Sequence, residues 1–176
     1  MRLPLLTAAF LIPTMAFAAG SGDHTPPKTT KTSTECEAGQ VFDEKTTTCV
    51  DKSSSLIDDD TRYEAVRELA YNGHYTRAQS VLDAMNPDDS RVLTYRGFIA
   101  RKTGDMDAAM TYYTAAIAAN ADNILARSYM GQGLIEAGNR EAAKQQLAEI
   151  RTRGGRNTWA ELSLRQALKS GVGSSY

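Results

Sequence analysis

Histidine is nearly absent from this sequence: His24 and His74 are the only two in 176 residues. His24 lies in a polar Pro/Thr stretch, and His74 follows Gly73 in a turn. Neither belongs to a cluster able to hold a catalytic metal or to act as the base of a triad. Cysteine is as scarce, with Cys36 and Cys49 alone. Two thiols without a nearby His make no zinc site, and their spacing is not the Cys-x-x-Cys of a redox motif. The net charge is −1, which leaves no bulk attraction for nucleic acid. The sequence also lacks a nucleophile elbow, a P-loop, an HExxH helix and a Gly-rich dinucleotide fingerprint. "RTRGGRN" (151–157) has three arginines and two glycines but no preceding strand, so it reads as a basic turn. Asp58, Asp59 and Asp60 lack EF-hand spacing and read as a solvated helix start. These absences exclude the common catalytic constellations; no enzyme, cofactor or metal is expected.

The first apolar run, "MRLPLLTAAFLIPTMAFA", is short and cut by Pro4 and Pro13, too broken for a membrane span. One Arg, an apolar stretch and Ala16-Phe17-Ala18 predict a signal peptide over 1–18, with no span in the mature chain. Export, to the periplasm or beyond the cell, places Cys36 and Cys49 in an oxidising compartment, where they read as a disulfide. Residues 19–34 are polar, with Pro26-Pro27 and many threonines, and are expected to be a disordered linker. Residues 35–52 form the disulfide-closed segment, with "QVFDEKTTTCV" patterned as a small hairpin. A second linker, 53–58, follows.

From residue 59 the spacing turns helical. Three glycines each precede an alanine by five residues: Gly73 and Ala78, Gly104 and Ala109, Gly138 and Ala143. Successive glycines lie 31 and 34 residues apart, a period that signals stacked helix pairs. In "KTGDMDAAMTYYTAAIAANADN" (102–123) the alanines bury little by themselves, so the helices must approach closely and share surface with neighbours. The stretch Asp59–Asn157 resembles the tetratricopeptide repeat family. The middle unit, Ser90–Asn123, carries Gly97, Gly104, Ala109, Tyr113 and Ala116 in the family's pattern; the third, Ile124–Asn157, carries Gly131, Gly138, Ala143 and Leu147. The closing Pro of the family is Ala121 here, and the first unit's second helix is cut short before Pro87. After the array, "NTWAELSLRQALKSG" predicts a capping helix with a Thr158/Glu161 capping box and a Gly171 stop. Trp159, Leu162 and Leu168 are the expected covering residues, and Thr61/Glu64 form a similar box at the other end. The expected fold is all-α: a solenoid of helical hairpins, about three repeats plus a C-terminal helix, over 59–170, with 171–176 as a tail.

The resemblance implies a concave groove lined by the first helix of each unit. Its lining positions fall on Tyr63, Arg67 and Tyr71, then Arg91, Tyr95, Phe98 and Arg101, then Tyr129 and Gln132. Aromatics with arginines are the composition of protein-binding hot spots. The implied function is a non-catalytic interaction module or scaffold of the cell envelope that holds a partner peptide or helix. The alternative is binding to cell-wall polysaccharide through the disulfide loop, since "CEAGQVFDEKTTTCV" resembles a fragment of small chitin-binding domains. Charge is uneven: residues 19–60 hold nine acidic and four basic residues, residues 140–169 three acidic and seven basic. The acidic arm either folds back on the basic end, or that end meets an acidic partner. A three-unit array is near the minimum for stability, so self-association through either end is a further expectation.

Overall fold

The computed structural model describes residues 25–27, 30 and 32–173. The signal peptide expected over 1–18 lies outside the described residues. Six helices form the three pairs: α2 (Asp59–Tyr71) with α3 (Tyr75–Leu82), α4 (Ser90–Lys102) with α5 (Met106–Ala119), and α6 (Ile124–Glu136) with α7 (Arg140–Thr152). A last helix, α8 (Trp159–Ser170), packs on α6 and α7.

Each pair turns at its glycine. Gly104 has φ +93°, left-handed backbone that a Cβ disfavours, and Gly73 and Gly138 match it. The residue after the turn caps the next helix. Asp105 accepts from the Ala108 amide at 3.0 Å and Asn139 from the Ala142 amide at 3.2 Å. His74 holds the same place in the first unit and offers no side-chain cap. That uncapped helix, α3, has 8 residues against 14 and 13 for α5 and α7.

The small residues bring the pairs together. Ala78, Ala109 and Ala143 are all fully buried. A Cβ built on Gly97 would lie 2.6 Å from Cε1 of the Tyr113 ring, and one on Gly131 2.7 Å from the Leu164 methyls. The large apolar area missing from the alanines is therefore supplied by Tyr113 and Leu164 lying over bare backbone.

The N-terminal segment is joined to this stack. Strands β1 (Gln40–Asp43) and β2 (Thr48–Asp51) pair antiparallel with Phe42 opposite Cys49, and the Cys36–Cys49 disulfide ties the hairpin to the short helix α1 (Thr32–Glu35). Val41 is fully buried within the same core as Val66, Leu69 and Leu82. Arg77 on α3 donates to the carbonyls of Ser33 (2.7 Å), Thr34 (2.9 Å) and Cys36 (2.9 Å). Glu68 on α2 accepts from Thr30 (2.7 Å) and Thr32 (2.8 Å) hydroxyls and the Thr34 amide (3.1 Å). The described part of the stretch expected as a disordered linker is thus held on the array. Composition misleads there because the ordering comes from two charged side chains of the array rather than from apolar area.

The position of Glu68 explains the arrangement. One unit later, Ile99 shares a cleft with Tyr75 and Thr76 of the preceding pair. Two units later, Gly133 lies against Met106 and Met110 of the pair before it. This face of a first helix meets the preceding unit. The first unit has none, and the N-terminal segment fills the place.

One helix start differs from expectation, and at α8 the inward leucine does. The α2 cap is Asp58, which accepts from both the amide (2.8 Å) and the hydroxyl (2.7 Å) of Thr61, so the helix begins before the predicted Thr61 box. Those bonds hold the Asp58 carboxyl well below the usual range. At α8, Thr158 accepts from the Glu161 amide, and Glu161 accepts from the Asn157 amide at 2.7 Å. The inward residues of α8 are Ala160, Leu164 and Ala167; the predicted Leu162 falls on the opposite side and is 48% exposed.

Candidate binding face

Helices α2, α4 and α6 lie side by side, and their repeated positions stack rings across the units. Tyr63 meets Tyr95 edge-on with centroids 5.5 Å apart, and Tyr95 meets Tyr129 at 6.1 Å. Phe98 fills the angle, 5.9 Å from Tyr95 and 5.0 Å from Tyr129. Cations flank the row. The Arg91 guanidinium lies 5.0 Å from the Tyr63 centroid and that of Arg67 at 5.9 Å. Arg101 and Lys102 are each 5.7 Å from the Phe98 centroid.

Of the nine residues expected to line a groove, Tyr63, Arg67, Arg91, Tyr95, Phe98, Arg101 and Tyr129 touch within this row, Gln132 reaches it through Arg101, and Tyr71 ends α2. Seven of them, Tyr63, Arg67, Tyr95, Phe98, Arg101, Tyr129 and Gln132, are buried at 5% exposure or less, whereas Tyr71 and Arg91 are half-buried. The rings couple one unit to the next, and solvent reaches the edge of the row rather than its floor.

The polar members form a relay through three helices. Arg101 pairs with Glu136 at 2.6 Å and donates to Gln132 Oε1 at 3.3 Å. Gln132 Nε2 reaches the hydroxyls of Ser128 (3.5 Å) and Ser163 (3.4 Å), which lie 3.0 Å from each other. A buried network of this kind is costly to leave half-made, so it fixes the angle at which α4, α6 and α8 stack. Burial and the neighbouring Arg101 push the Lys102 ammonium below its usual value. At the opposite edge, hydrogen bonding to Asp89 holds the Arg91 guanidinium firmly charged, with Asp60 2.7 Å away across the unit boundary.

Remote parts of the chain meet both ends of the face. Arg67 Nη2 donates to the Thr25 carbonyl at 3.0 Å, and Pro27 beside it is buried. Gly173, past the end of α8, packs closely on the Arg101–Glu136 pair, where an added Cβ would displace the Glu136 carboxylate. The docking residues Glu68 and Arg77 were not expected from the sequence. A signal was present: Glu68 is charged where the later units have Ile99 and Gly133. Among the described residues no three His, Cys, Asp or Glu side chains are grouped as metal ligands, and no helix is long and apolar enough to cross a membrane.

No curated protein and no solved structure matches the chain. Residues 100–163, from the last turn of α4 into α8, match the family model described as Tetratricopeptide repeat.

Proposed function

We propose that this protein is a non-catalytic interaction module of the cell envelope, and that it holds an extended partner segment along the face of α2, α4 and α6. Repeats of this family serve protein–protein interaction, and the disulfide fits a compartment outside the cytoplasm. The observation that carries the reading is Arg67, a predicted lining residue, donating to a main-chain carbonyl 42 residues away. The face already engages main chain through a side chain of its floor. A partner segment would use the same chemistry, with Arg91 and Tyr71 at the accessible edge and Arg67 and the ring row beneath. The polysaccharide reading is weaker, because the hairpin's buried Val41 and its links to Glu68 and Arg77 give it a structural role as the array's first cap.

The test is a photocrosslinker at Tyr71, which is half-exposed, in cells that export the protein. A discrete protein adduct lost in Arg91→Glu supports the reading. Equal crosslinking in Arg91→Glu, or retention of the whole chain on insoluble glycan without any protein adduct, refutes it.

A further inference from the structure

The two ends of the stack are complementary. The acidic segment is anchored on α2 and α3 through Glu68, Arg77 and the bond from Lys52 to the Ser80 carbonyl (2.7 Å). The basic end is formed by α7 and α8, at the far side of the array. Among the described residues no hydrogen bond or ion pair joins the two, so folding back within one chain does not neutralise them.

Three large apolar side chains are left exposed among the described residues, and all three sit on these ends. Leu56 (85%) is on the acidic one; Leu162 (48%) and Val172 (65%) are on the basic one. The outward stripe of α8 is Leu162, Arg165, Gln166 and Lys169, at i, i+3, i+4 and i+7. Arg165 and Lys169 make no ion pair among the described residues. Each end therefore offers an apolar knob among charges predominantly of one sign, and the predominant signs are opposite. Among the described residues no helix packs on the outer side of α8.

We infer that the chain associates head to tail, the outer face of α8 of one copy docking on the acidic, Leu56-bearing end of the next. Such a contact joins two different surfaces, so it propagates into short linear oligomers unless the rotation closes a ring. Its strength depends on ionic strength, because exposed charges are screened beyond about 10 Å at 0.1 M salt and about 3 Å at 1 M. The inference does not depend on the binding face of α2, α4 and α6.

The experiment is sedimentation velocity of the purified, disulfide-bonded protein across protein concentration. The expected result is a weight-average mass that rises to about twice the monomer's or more at ~0.01 M salt and returns to it at ~1 M. Arg165→Glu with Lys169→Glu, both on exposed positions, should abolish the rise with an unchanged melting curve. Added to wild type, this variant keeps its acidic end, so it should terminate the chains and lower their mass. Leu56→Asn should weaken association several-fold. A protein that stays monomeric at low salt overturns the inference. So does association that is insensitive to salt, or that survives the α8 reversal. Binding of the basic end to an unrelated acidic protein, with no self-association, also overturns it in favour of a different partner.

Discussion

Replacing Tyr95 with alanine separates a structural ring row from a free ligand surface. Tyr95 is fully buried and its ring meets three others, Tyr63, Phe98 and Tyr129, at centroid distances of 5.5 to 6.1 Å. Truncating a buried aromatic to alanine costs about 3–5 kcal/mol. Each edge or tilted ring pair carries about 0.5–1.5 kcal/mol beyond its buried area, which places Tyr95→Ala toward the upper part of that range. Domains of this size are stable by about 5–15 kcal/mol, so the loss is a large fraction of the total. At roughly 4 °C per kcal/mol the melting midpoint should fall by about 15–20 °C. The array is quasi-one-dimensional, and the core around Ile124, Ile150 and Leu164 is a separate cluster. The melt should therefore split, with α6–α8 outlasting α2–α5. Circular dichroism with calorimetry reads both effects. Tyr95→Phe, which keeps the ring, should stay within about 1 kcal/mol of wild type. If Tyr95→Ala melts like wild type, the rings do not couple the units, and the stack is held together by something other than the ring row.

Gly97→Ala should destabilise by about 1–3 kcal/mol in chemical denaturation, because the added Cβ meets a fully buried Tyr113 ring that cannot retreat; an unchanged midpoint would show that the two helices separate freely. Cys36→Ser with Cys49→Ser opens a loop with a sequence separation of 13 and should cost about 3 kcal/mol, read as a lower first transition and faster amide exchange over α1–β2. Arg77→Ala removes a charged donor from three carbonyls and should speed exchange in the same residues while leaving α6–α8 protected. The Glu161 carboxyl is held below its usual value by the Asn157 amide and then by Arg151. A depressed carboxyl contributes stability above its unfolded pKa of about 4.3, which is lost as pH falls below that. Acid melts from pH 6 to 3 should therefore loosen α8, and Glu161→Gln should flatten that dependence.

The helix pairs were legible in the sequence because their devices are local. A glycine at left-handed φ, a cap beside it and an alanine five residues on recur in phase, and each acts within a few residues of itself. The shortness of α3 was equally local: the helix starts two residues after its glycine, as α5 and α7 do, and stops early ahead of Pro87. What the sequence did not yield depends on long-range partners. Leu162 and Leu164 differ little as letters, and the packing of Leu164 over Gly131 decides which one turns inward. The burial of Tyr63, Tyr95, Phe98 and Tyr129 was not foreseen, since a period gives equivalence between units and not the distance between their helices. The docking of residues 30 and 32–36 was hidden because it rests on Glu68 and Arg77, charged side chains that composition assigns to the surface.

The capping of the two ends bears on how such a short array stays folded and what it can bind. Repeats contribute mainly through their interfaces, and three pairs alone have two internal boundaries. Here the N-terminal segment adds a boundary at α2 through Val41, Glu68 and Arg77, and α8 adds another at α6 through Leu164 and Ser163. The disulfide keeps the first of these from fraying, which ties the stability of α2 and α3 to the redox state of Cys36 and Cys49. The same segment delivers the Thr25 carbonyl to Arg67. Loosening the cap by reduction would therefore also change what lies on the proposed binding face. Reduced protein should lose stability first at α2 and gain crosslinking at Tyr71, and both changes should disappear together on reoxidation.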